Sequence, residues 1–143
     1  MRLWPLAILK QLPRQQLLGQ HRECCALRGN GWGRKHATVD YVFKHPYYWL
    51  AMYHAEIMLE MKRRGYEYDD RWRVFSYRGR RIGYDYSEFT WMKGEMASGI
   101  NPDLRAGSSP IYPEHDANYL KECIENLARK GIKIDIPKKK EVA

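Results

Sequence analysis

Apolar residues recur at helical spacing in three stretches of the chain, each opening on a proline. The first covers residues 13–28. Leu17, Leu18, Cys24 and Cys25 form its core-facing side, and Gln15, Gly19, Arg22, Glu23 and Ala26 fall on another. The second covers residues 46–64, with Trp49, Leu50, Tyr53, Ile57 and Met61 on one stripe. The third covers residues 113–130 and carries Tyr119, Cys123, Ile124 and Leu127. Pro13, Pro46 and Pro113 suit a first helical turn, where a missing N–H loses no partner. Gly65 and Gly131 suit left-handed caps after basic last turns. The endings Lys62-Arg63-Arg64-Gly65-Tyr66 and Ala128-Arg129-Lys130-Gly131-Ile132 resemble a repeat, and shared capping chemistry accounts for it.

Between these stretches the pattern weakens. Residues 1–12 read as an extended lead with at most a short helical turn, and residues 38–43 as a brief extended stretch or another turn. Residues 66–112 are aromatic, basic and aperiodic, a length that in a compact domain belongs to a functional or covering loop. The tail from Pro137 reads as solvated. The pattern therefore predicts a mainly α, compact single domain over residues 1–143, with three principal helices and long irregular connections. Gly19 stands out, because glycine inside a helix costs roughly 1 kcal/mol relative to alanine. Two readings explain it: a bulky group approaching the backbone beside Glu23, or a close helix–helix contact.

Charge narrows the choice of partner. The 143 residues hold 25 Lys and Arg against 17 Asp and Glu, a net charge of +8. Such a surplus favours polyanions, nucleic acid before an anionic membrane. No helix sets a basic face against a purely apolar one, which disfavours the membrane. Five Trp and 11 Tyr suit stacking on exposed bases, although most rings in a small domain serve the core. The three cysteines are an odd number. Neighbours on a helix, such as Cys24 and Cys25, point about 100° apart, so neither a disulfide framework nor a shared metal is expected. Reduced, buried thiols fit a cytosolic compartment. The apolar run from Leu3 to Leu9 is broken by Pro5 and too short for a signal-peptide core or a membrane span. The expectation is a soluble cytoplasmic protein, associated with the nucleoid.

Local motifs for chemistry are sparse. There is no Gly-rich phosphate loop, zinc pattern or Ser-His-Asp order. Histidines at 21, 36, 45, 54 and 115 lack ligand spacing and read as structural or phosphate-contacting residues. No cofactor or metal is expected, and Glu23 alone would be weak evidence for catalysis.

Several short motifs in order are more specific. They are Met1-Arg2-Leu3; Leu12 with Gln15, Leu17, Arg22 and Glu23; Arg34-Lys35-His36; Lys62-Arg63-Arg64-Gly65-Tyr66; and Tyr112-Pro113-Glu114-His115. Through them the chain resembles the pyrimidine-dimer DNA glycosylase family, small helical repair enzymes that excise ultraviolet photoproducts. The resemblance is sharpest over the first 36 residues and poor over residues 66–112. It implies damaged double-stranded DNA as partner, glycosylase with apurinic/apyrimidinic lyase activity, and the protein's own α-amine as nucleophile. On that reading the Met1 amine attacks C1′ of the sugar. Glu23 stabilises the sugar cation and handles protons, and Arg2 and Arg22 hold flanking phosphates. Gln15, Arg28, Arg34, Lys35 and His36 complete the expected DNA contacts.

Three departures accompany the resemblance. Arg2 is bulky where phage members have a small residue after the initiator Met, so Met1 is expected to be retained and to supply the amine. Ala26 replaces an arginine expected just after the glutamate, leaving Arg28 as the nearby stand-in. The aromatic tail of the phage enzyme is replaced by residues 132–143 with three lysines at 138–140. The runner-up reading is a basic DNA-binding module with the same fold and no chemistry. The choice of lesion stays open among a cyclobutane dimer, another damaged pyrimidine and an abasic site.

Overall fold

A computed structural model describes residues 2–34, 38–87 and 110–136. Among the described residues are three α-helices: α1 Arg14–Arg28, α2 Tyr47–Arg63 and α3 Ala117–Arg129. Short 3-10 turns at Leu6–Gln11, Asp40–Lys44 and Asp70–Arg73 link them. The β-pairing among the described residues is a single bridge between Tyr77 and Tyr84. No described helix is long and apolar enough to cross a membrane.

Pro13 and Pro46 each stand one residue ahead of a helix, so the first two predicted starts hold. The third does not. α3 begins at Ala117, because the Asp116 carboxylate accepts from the Tyr119 N–H at 2.9 Å and satisfies an orphan donor there. Residues 113–116 form a turn instead, closed by the His115 N–H on the Tyr112 carbonyl.

Two helix ends follow one stereochemical recipe. Gly65 and Gly131 both have φ near +81°. Beyond them, the N–H of Tyr66 reaches the Met61 carbonyl and the N–H of Ile132 reaches the Leu127 carbonyl, each at 2.9 Å. This is the six-to-one closure of a Schellman ending, and it explains the apparent repeat.

The lead is core rather than a loose approach. Leu3, Ile8 and Leu12 are buried with Leu17, Cys24 and Leu27 of α1, Leu50, Tyr53 and Ile57 of α2, and Cys123 and Leu127 of α3. Each such leucine or isoleucine contributes about 1.5–3 kcal/mol on removal from water. Arg64 pins the lead from the end of α2. Its guanidinium donates to the carbonyls of Leu12 (2.7 Å), Leu9 (3.0 Å) and Lys10 (3.1 Å), while Glu60 holds it from behind.

Residues 66–87 look formless as sequence because their order is borrowed from a side chain elsewhere. Arg28 enters this loop from α1 and is fully buried. It donates to the backbone carbonyls of Trp72, Val74, Phe75 and Tyr77 at 2.8–3.2 Å.

Candidate active site

The start of the chain is fastened to α1 by one side chain. Gln20 is buried, and its Nε2 donates at 3.0 Å both to the Arg2 carbonyl and to Oε2 of Glu23. Its Oε1 accepts from the Trp4 N–H at 2.7 Å. The Tyr53 hydroxyl lies 2.6 Å from the Trp4 carbonyl and 2.9 Å from the same Oε1. Tyr119 adds a hydrogen bond from its hydroxyl to the Leu3 carbonyl at 2.7 Å. All three helices thus hold residues 2–4, and Glu23 shares the central amide.

Burial pushes the Glu23 carboxyl above the usual carboxylate range, against the opposing pull of a backbone hydrogen bond at Arg2 and the charges of Arg22 and Lys130. Arg2 lies against α3. Its guanidinium meets Glu122 at 3.3 Å and the Cys123 sulfur at 3.5 Å, flanked by the rings of Trp4 and Tyr119.

Gly19 is half-buried. An added Cβ would find only Nη2 of Arg22, at 3.8 Å. Among the described residues no helix–helix contact requires the glycine, and no side chain other than Arg22 lies close to it.

The expected DNA-contacting residues divide. Gln15, Arg22 and Arg34 are exposed. Gln15 and Arg22 share the outer face of α1 with Glu23, and Arg34 follows the helix end. Arg28 is the correction: it cannot touch a phosphate or stand in at position 26, because every donor of its guanidinium is engaged inside the protein. Besides the four carbonyls, its Nε donates to the Tyr47 hydroxyl at 3.0 Å and its Nη1 to Nδ1 of His54 at 2.8 Å. Met1, Lys35 and His36 lie outside the described residues.

One cluster escaped the sequence reading. His21, Cys25 and His54 place ligand atoms within 4.8 Å of one another. The hydrogen bonding argues against a metal. Arginine only donates, so Nδ1 of His54 is bare and Nε2 carries the proton. That N–H donates to Nδ1 of His21 at 2.8 Å, and Nε2–H of His21 is left near the Cys25 sulfur at 3.8 Å. Neither imidazole aims a free lone pair at the centre. Desolvation lowers both histidines, with Arg28 adding to it, and burial pushes the Cys25 thiol up to about 12. The trio is a neutral relay behind α1.

Gln20 and Tyr53 were also missed. Gln20 was legible only as an amide one turn before Glu23; its contacts lie 16 to 33 positions away. A family model for pyrimidine dimer DNA glycosylase matches residues 1–74. No curated protein and no solved structure matches the chain. The matched span contains the lead, α1, α2 and every group around Glu23 named above except those from α3 and Lys130.

Proposed function

The chain belongs to the pyrimidine dimer DNA glycosylase family, and from that premise we propose that it removes a damaged pyrimidine from duplex DNA and then cuts the strand, using the Met1 α-amine. It is a DNA-repair glycosylase acting on damaged DNA; the steps that follow are our reading. The neutral amine attacks C1′, the base departs with the glycosidic electron pair, and the amine loses a proton as the sugar ring opens to a Schiff base. Removal of a C2′ proton then expels the 3′ phosphate by β-elimination, and water releases the enzyme. Reaching C1′ in a duplex requires extruding a nucleotide.

The observation that best supports this reading is the shared amide of Gln20. The group that holds the Arg2 carbonyl also holds the Glu23 carboxylate, so the residue following Met1 and the acid are tied together. A carboxyl with a raised pKa suits proton transfer near neutral pH. Charged, it opposes the positive sugar; protonated, it can give its proton to O4′ as the ring opens. With only Arg22 close to Gly19 among the described residues, a nucleotide has room to approach there.

Borohydride reduction on an abasic or dimer-containing duplex tests the proposal. A covalent protein–DNA adduct is expected. Tight binding without adduct or cleavage would leave a DNA-binding module and remove the chemistry.

A further inference from the structure

Beyond the family-matched span, residues 77–84 form a small hairpin that the chemistry above does not use. It is closed by the Tyr77–Tyr84 bridge and by Arg78 N–H to the Gly83 carbonyl (2.8 Å) and Gly83 N–H to the Gly79 carbonyl (2.7 Å). Gly79 and Gly83 both take positive φ, 97° and 75°, so the turn is shaped by residues free of a Cβ penalty. Arg80 and Arg81 stand exposed at its tip.

The hairpin is docked on α1. Nε of Arg78 donates to the Arg28 carbonyl at 2.8 Å, and the Arg78 guanidinium stacks on Tyr47 with 4.5 Å to the ring centre. A Cβ on Gly29 would come within 3.1 Å of the Arg78 carbonyl, so the two backbones meet directly. Between them lies a cleft of about 560 Å³, walled by Ala26, Gly29 and Trp72 and edged by Arg34, Arg80 and Arg81.

Of the cations lining this cleft, Arg78 is engaged, while the other three are not engaged among the described residues. The side chains of Arg34, Arg80 and Arg81 make no hydrogen bond or ion pair among the described residues. The acids beside them are already engaged: Asp69 is held by Arg71 at 2.5 Å, and Asp85 by Arg78 at 3.2 Å. Arg80 acts on Asp69 only at a distance, lowering its pKa after Arg71 has done most of that. Three guanidiniums along one rim, exposed to solvent, suit a row of phosphates.

We propose that the hairpin and this cleft grip the DNA backbone next to the lesion, as a phosphate clamp at the C-terminal end of α1, beyond Glu23 along the helix. The polyanion is DNA by the reading given above, on which this inference rests. The spacing is specific. From position 23 to position 29, α1 advances about 9 Å at 1.5 Å per residue, which is two to three base-pair steps of about 3.4 Å. With the strand running along α1, the clamp holds phosphates two to three nucleotides from the sugar under attack.

The test is the double variant Arg80→Ala/Arg81→Ala, measured with an abasic duplex across a salt series. Each phosphate contact contributes a slope of about 0.9 to log Kd against log salt, so the slope should fall by roughly one to two, and affinity at low salt by tenfold or more. Methylphosphonates two to three nucleotides from the lesion should weaken the wild type and leave the variant unchanged. Arg80→Lys/Arg81→Lys should keep the slope. An unchanged slope in the alanine variant overturns the clamp even if excision stands. A wild type that binds steeply yet excises nothing overturns the glycosylase chemistry and leaves the clamp, and a wild type that does not bind duplex overturns both.

Discussion

Gln20 Nε2 lies 3.0 Å from Glu23 Oε2 and gives its second proton to the Arg2 carbonyl at the same distance. One amide therefore joins the acid to the chain's start, beside the bonds that Tyr53 and Tyr119 make to Trp4 and Leu3. Gln20→Ala removes both bonds and strands the Trp4 N–H in a buried site. A stability loss of about 1–3 kcal/mol is expected by chemical denaturation. Excision by the folded fraction should fall by tenfold or more, since both Glu23 and the Arg2 carbonyl lose the amide that holds them. Unaltered single-turnover rates would mean that the coupling has no catalytic weight.

Glu23→Gln keeps the size of the side chain but deletes its charge and its capacity to carry a proton. Base excision should drop by roughly 10²–10⁴-fold, the usual worth of a placed acid–base group. DNA affinity should hold or rise, because an anion leaves a phosphate-rich surface. Normal turnover would reduce Glu23 to a solvated helix residue.

Arg28 should behave as a structural residue. Arg28→Met leaves the carbonyls of Trp72, Val74, Phe75 and Tyr77 and the Nδ1 of His54 without their donor. Breaking a buried charged network in this way costs about 3–5 kcal/mol. Residues 66–87 should become protease-sensitive, while the DNA affinity of the remaining folded protein changes little. Selective loss of DNA binding at full stability would restore the phosphate-contact role that burial argues against.

The helices were legible because their cause is local. Period, proline and glycine punctuation lie within each segment, and the endings at Gly65 and Gly131 are recognisable from five residues. The outer face of α1 followed from the same period, which is why Gln15, Arg22 and Glu23 fall where expected. Arg28 was misread because nothing near it in sequence marks burial; its partners come from an aperiodic stretch 44 to 49 positions on. The relay of His21 and His54 joins residues 33 apart and was invisible for the same reason. The start of α3 was lost to a competing signal, Pro113, when Asp116 was the true cap.

Stability should weaken as pH falls through the histidine range. His21, His54 and His115 are all held below their ordinary value, chiefly by burial, His115 at about 4. The unfolded chain binds protons below about pH 6.5 that the folded chain refuses, so stability is full above that pH and is lost on acidification. Each histidine contributes at most about 1.4 kcal/mol per pH unit within its window. Glu23, with its raised pKa, opposes the trend, and the lowered carboxyls of Glu60 and Glu114 reinforce it only below about 4.5. Urea midpoints at pH 7, 6 and 5 should fall in that order, and His115→Gln should flatten the decline. A constant midpoint would contradict the burial of these rings as neutral species.

Met1 is expected to be retained and to be the residue that becomes attached to DNA. An α-amine with a pKa near 7.7–8.0 is about a tenth or more neutral at pH 7, whereas a lysine near 10.4 is neutral to less than about one part in a thousand. Of the amines in this chain, the terminal one therefore needs the least further activation. Arg2 is a poor second residue for removal of the initiator, and its own carbonyl is anchored by Gln20. The intact mass should include the initiator Met, and peptide mapping of the borohydride adduct should put the reduced sugar on the first residue. Acetylating the amine, or displacing it with an N-terminal tag, should abolish both excision and trapping while the thermal midpoint stays put. An adduct mapped to a lysine, in tagged or untagged protein, would move the nucleophile elsewhere and leave the lyase chemistry standing. A blocked protein that still excises and traps at full rate would separate Glu23 from the amine altogether.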